Sequence, residues 1–203
     1  MARFPHLFAT GHQLAREIIR DTPCLKIPSV QPGDIRLAAI DFTLCAHFQS
    51  KNYPGIVAGY TSFAKPTGSY FNIQTEQSRI TISHVPYRES FPPHAEFRKS
   101  AREENKPYLF ASMEAERKRL EAEESDMLLK KHVLITYGDQ NLEFLHIGMQ
   151  LPGSRQAWME PPVDLLKGLH LVDGEDDAEA KEPKIPMGMK EQFIQHLSEN
   201  AEK

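Results

Sequence analysis

The chain has 203 residues, of which 40% are apolar, 9% aromatic and 26% charged. That is enough for one domain with a sizeable core, and it excludes a wholly disordered chain, a collagen-like fibre and a disulfide-dependent miniprotein. The formal charge is −4, but nine acids against four lysines from Val172 to Lys203 give that segment −5 and leave residues 1–171 at +1, too weak a field for a dedicated nucleic-acid coat protein.

The first helix is expected from about Thr10, as its cap, to Arg20, with Leu14, Ile18 and Ile19 on its apolar face. Prolines 23, 28 and 32 make Cys24–Val30 extended. A second helix follows Pro32-Gly33-Asp34, where Leu37, Ile40, Leu44 and Phe48 recur every three or four residues as a core-facing stripe. After Tyr53-Pro54-Gly55 the pattern turns to strands. Ile56–Phe63, the alternating run around Phe71 and Ile73, and Arg79–Val85 read as a three-strand meander with a turn at Lys65-Pro66-Thr67-Gly68.

Phe91-Pro92-Pro93 breaks that pattern. Helical composition then runs from His94 to Lys131, interrupted at Pro107. Met113, Leu120 and Met127 make one narrow seam along it, fit for the body or for a coiled-coil partner. His132–Tyr137 and Leu142–Met149, joined by Gly138-Asp139-Gln140-Asn141, make a hairpin. A short helix is expected at Pro162–Leu169. The order gives an α+β domain over residues 1–171. Its sheet is expected to be five-stranded and mostly antiparallel, a meander plus a C-terminal hairpin, packed with N-terminal and central helices.

Residues 172–203 read as an acidic flexible tail, because Asp173–Glu179 cannot build a core. A short amphipathic helix near 187–200 carries Met189, Phe193, Ile194 and Leu197 on one side. It is too short to be stable alone, so it needs a surface: this body, a second copy or another protein. These four residues are the candidate partner-binding surface, for another protein or for self-association.

No run reaches the roughly 18 apolar residues of a membrane span, and Met1-Ala2-Arg3-Phe4-Pro5-His6 holds no apolar signal core. A cytoplasmic protein without membrane contact is expected. Cys24 and Cys45 lack metal-site spacing and are expected to be reduced. No cofactor is implied. Asp41, Cys45 and His47 lie close in sequence, but they do not make up the three or four convergent ligands of a metal site.

Strong catalytic motifs are absent. Ser62-Phe63-Ala64-Lys65 spaces Ser and Lys for one helical turn but runs from a strand into Pro66. His94-Ala95-Glu96 is half of a zinc-deaminase signature, without its cysteine half. His84 shares parity with Ile80 and Ile82, and His146 with Leu142 and Phe144, which suggests two histidines on one buried sheet face. With Arg88, His94 and Glu96 close to His84, the catalytic candidates are His84, Arg88, His94 and Glu96. They could supply an acid, a base and an anion clamp. Tyr60, Phe63, Lys65, Tyr70, Phe71, Arg79, Tyr87 and Arg88 interleave rings and cations, a pattern that suits nucleic acid but equally suits ordinary strands.

The expected function is that of a small binding or regulatory protein that engages a macromolecular partner through its body and tail helix. The alternative is a metal-independent, toxin-type nuclease or nucleotide-acting enzyme using the His84/Arg88/His94 region. Nucleic acid is the less favoured partner.

Overall fold

The computed structural model describes residues 4–21, 32–51, 53–63, 68–110, 130–138, 142–167 and 185–201. Helix α1 (Phe4–Asp21) and helix α2 (Pro32–Lys51) pack as an antiparallel pair. α1 starts well before Thr10, whose hydroxyl donates to the His6 carbonyl at 2.8 Å instead of capping a helix end. The two helices come close at Gly11, where a Cβ would lie 2.7 Å from the Cα of Ile40. Only glycine lets the two backbones come so near.

The sheet has six strands in sequence order: β1 (Val57–Phe63), β2 (Gly68–Gln74), β3 (Ser78–His84), β4 (Lys131–Tyr137), β5 (Leu145–Gly148) and β6 (Val163–Asp164). All neighbours are antiparallel except β3 and β4, which run parallel with Ile82 opposite Ile135. The fold is therefore α+β with a mixed, mostly antiparallel sheet.

Two expectations change. The sheet has six strands rather than five, since the segment read as a helix from Pro162 opens with β6 and only then makes one helical turn at 165–167. The meander and the hairpin meet side by side in parallel, because β4 starts at the same end of the sheet as β3, with Ser78 opposite Lys131. Side-chain periodicity reports faces and not direction, so nothing in the pattern marked this pair.

The meander and the antiparallel pairing of β4 with β5 are as expected in order, but β5 begins only at Leu145, which pairs with Tyr137. The segments expected at Cys24–Val30, Lys65–Thr67, Asp139–Asn141 and Asp173–Glu179, and most of the helix at Ser112–Lys131, lie outside the described residues. So does the expected boundary between body and tail at 171/172.

The two faces of the sheet differ. Phe71, Ile73, Ile135, Tyr137 and Leu145 meet Phe8, Ile40 and Leu44 of the helix pair in one dry cluster. Leu37, expected in the same stripe, is 37% exposed, and Ile35 and Ala39 are buried instead. The opposite face presents Asn72, Thr81, Ser83, His132, Thr136 and His146, all buried. Helix α3 (Glu96–Glu103) and a 3-10 turn (Lys106–Phe110) cover it. Tyr70, read as a ring that could meet a base, is stacked on Phe97 of α3 at 4.0 Å and 8°.

The C-terminal helix, α4 (Met189–Ala201), closes the far end of the helix pair. Phe193 is fully buried among Leu14, Ala15, Ile18, Ile35 and Ala39, with Met189 and Leu197 packed beside it. Lys190 pairs with Asp21.

Leu44 has no exposed surface. Leu44→Ala is expected to cost about 2–5 kcal/mol in a urea unfolding measurement. A loss near 0.5 kcal/mol, the scale of surface changes, would contradict this packing.

Candidate functional site

The buried polar layer is organised by Asn105, which is fully buried just beyond α3. Its side-chain oxygen accepts from the His132 backbone N–H at 2.8 Å, and its amide donates to the carbonyls of His132 (3.0 Å) and Gln150 (3.1 Å). One side chain thus ties the end of α3 to the start of β4 and to the segment after β5. Beside it Thr81 and His132 share a 2.8 Å hydrogen bond, and Arg79 pairs with Glu104 at 3.1 Å. Burial, reinforced by Arg79, Arg102 and Arg98, pushes the His132 imidazole down to about 4, so it is neutral at physiological pH.

At the edge of this layer lies a small pocket lined by Pro92, Pro93, His94, Ala95, Arg98, Arg102, Gln150 and Arg155. Arg98 and Arg102 stand one helical turn apart on α3. Arg98 donates to the Pro93 carbonyl at 2.8 Å, and its guanidinium lies 4.7 Å from the Phe97 ring centroid. Burial lowers its affinity for its proton. Arg102 is only 6% exposed, and its Nε has no hydrogen-bond partner among the described residues. The turn carrying Arg155 is held by the Gly153 N–H, which donates to Glu103 at 3.1 Å. Among the described residues no carboxylate lines the pocket.

The candidates drawn from the sequence fall in several places. His94 lines this pocket, and Glu96 is an exposed carboxylate 3.7 Å from its ring. His84 lies on the other face of the sheet, its ring 5.6 Å from that of Tyr137 within the helix-packed side. Arg88 sits at the β5–β6 edge. It donates to Asp164 at 3.0 Å and to the Glu143 carbonyl at 3.1 Å.

His146, read as sharing a buried face with His84, is on the opposite side of the sheet, 3.9 Å from Asp164. The reason is register. Leu145 and Ile147 pair with Tyr137 and Ile135 on the core side, which turns His146 and Phe144 the other way. Of the tail residues, Met189, Phe193 and Leu197 face the chain's own helices, while Ile194 is 46% exposed.

Arg102, Gln150 and Arg155 were not singled out in the sequence. The available signal was the Arg98/Arg102 pair, since like charges at i,i+4 destabilise a helix and so call for a compensating group.

Away from this pocket, Asp41 on α2 is buried and accepts from the Tyr60 hydroxyl at 3.3 Å. Burial pushes its carboxyl up to about 7, and burial and the Asp41 charge push the Cys45 thiol up. Among the described residues no group of three His, Cys, Asp or Glu side chains could hold a metal ion. No described helix is long and apolar enough to cross a membrane. No family model matches the chain, and neither a curated protein nor a solved structure matches it.

One prediction tests the polar layer and a second tests Asp41. Asn105→Ala removes three hydrogen bonds and strands buried backbone groups, so it should cost about 3 kcal/mol in denaturant unfolding. An effect no larger than that of a surface change would mean that the three segments are held independently.

The second prediction concerns pH. An aspartate raised to about 7 in the folded state contributes stability that is present below about 4 and lost as pH rises through 7. A histidine lowered to about 4 contributes stability that is present above about 6.5 and lost as pH falls toward 4. Asp41→Asn should therefore be more stable than the parent at pH 8 and should lose that advantage at pH 4. A constant difference between the two proteins from pH 4 to 8 would show that Asp41 titrates normally.

Proposed function

We propose that this is a cytoplasmic binding or regulatory protein that engages a macromolecular partner through its body, with α4 as a second contact exchanged between its own helix pair and that partner. The observation that best supports this is how α4 is held. A helix of 13 residues is anchored by a single fully buried side chain, Phe193, with Met189 and Leu197 beside it, by the Phe42 ring against Phe193 and His196, and by an ion pair of Lys190 with Asp21. Such a helix can detach without unfolding the sheet, and doing so uncovers the strip formed by Leu14, Ile18, Ile35 and Ala39. The α3 side of the body offers the complementary contact, because the side chains that converge there are chiefly hydrogen-bond donors, suited to holding a ligand.

Removing the Phe193 ring from a fixed core would cost about 3–5 kcal/mol, but a detachable helix limits the loss to its own docking free energy. Phe193→Ala should therefore lower the thermal midpoint by only a few degrees, and deletion of residues 185–203 should lower it by the same amount. In hydrogen exchange the α4 amides should open with a much smaller free energy than those of β4. If both sets exchange together through global unfolding, α4 is a permanent part of the core and its role as a second contact is lost.

A further inference from the structure

We propose that the pocket beside α3 is a binding site for a terminal phosphoryl group, the tetrahedral dianion of a phosphomonoester or of free phosphate. This goes beyond the reading of α4 and holds whether or not that helix ever meets a partner.

The charge balance calls for an anion. Arg98, Arg102 and Arg155 line one small space with no carboxylate among the described residues of its walls, and the Glu96 carboxylate lies outside it, 3.7 Å from the ring of His94. Arg102 lies in its wall 6% exposed, and its Nε lacks an acceptor among the described residues. A guanidinium stays charged at every physiological pH, and a buried charge without a partner is strongly unfavourable. An anion seated between the arginines supplies that partner and relieves the repulsion between Arg98 and Arg102.

The geometry selects the anion. Arg98 and Arg102 approach from α3, and Arg155 approaches from the turn fixed by Glu103 and Gly153. Arg98 is already oriented, with one nitrogen on the Pro93 carbonyl and its guanidinium carbon over the Phe97 ring. A planar carboxylate is satisfied by one guanidinium fork, whereas donors arriving from two elements suit the several oxygens of a phosphoryl group. A nucleic-acid backbone fits less well. Its binding draws on an extended basic track, and this chain carries a net −4.

The test is the thermal midpoint of the full chain in inorganic phosphate, in a phosphoserine peptide and in a single-stranded RNA lacking a terminal phosphate. Each is compared with chloride at equal ionic strength. Phosphate and the phosphopeptide should raise the midpoint with increasing dose, because a ligand bound only to the folded state adds stability by mass action.

Arg155 is exposed, so Arg155→Ala leaves the fold intact and should weaken the apparent affinity at least about tenfold. Arg102→Gln should remove the rise while leaving the midpoint in chloride close to that of the parent, since it replaces a buried guanidinium whose Nε has no acceptor among the described residues. If Arg102→Gln does not fold, the Arg155 variant decides alone. A peptide affinity above that of free phosphate identifies a phosphorylated partner, and equal affinities identify the free ion. The proposal is overturned if neither ligand moves the midpoint at about 20 mM, if the rise persists undiminished in Arg155→Ala, or if the RNA stabilises more than the phosphopeptide. None of these outcomes bears on the exchange behaviour of α4, so the two readings fail separately.

Discussion

The fully buried amide of Asn105 is the constraint on which the polar half of the molecule depends. An amide has four hydrogen-bonding positions, and here it serves a backbone donor and two backbone acceptors that come from segments far apart in the chain. Because α3 ends two residues earlier at Glu103, fixing Asn105 also sets the depth at which that helix lies on the sheet. The placement of Arg98 and Arg102 follows from it.

The two sides of the sheet are held by different physics. On the α1–α2 side the cohesion is non-directional, a dry cluster running from Phe8 to Leu145, and such a cluster tolerates swaps that conserve volume. On the α3 side it is directional. His132, Thr81, Asn105, Arg79 and Glu104 make specific pairs, and each deletion leaves a partner stranded in low dielectric. The apolar side thus supplies most of the burial, and the polar side supplies most of the positional definition. A ligand site belongs on the second, where side chains are already aimed.

Much of the fold was legible where one periodicity dominated. The second helix shows itself through Ile40 and Leu44, the strands around Ile73 and Ile80 through alternation, and the strand around Val133 through a short β-branched apolar run. The helical tail shows itself through Met189, Phe193 and Leu197. Strand direction was not legible, because alternation reports which face a side chain takes and not which way its strand runs beside its neighbour. The face of His146 was misread for a related reason. Extending the strand back to Leu142 assumed continuous alternation, but Leu142 adopts φ 50°, and regular pairing begins only at Leu145.

The candidate site was half visible. His94 and Arg98 lie in the segment that drew attention, but Gln150 and Arg155 come from beyond β5. Only the folded chain brings them beside α3.

The parallel pairing of β3 with β4 also governs how the chain reaches this state. β1, β2 and β3 pair through short connections, and so do β4 and β5, so each group can assemble from contacts close in sequence. Joining them means closing the span from His84 to Lys131 before Ile82 can meet Ile135. Loop closure grows only logarithmically with length, so the equilibrium penalty is modest. The burden is one of time, since non-local pairings are the slow ones. Until that seam closes, the inner edges of both β3 and β4 stand open, and an open strand edge is a template for another chain. The vulnerable moment of this protein is thus the interval before its two halves meet, and its central seam is also its latest.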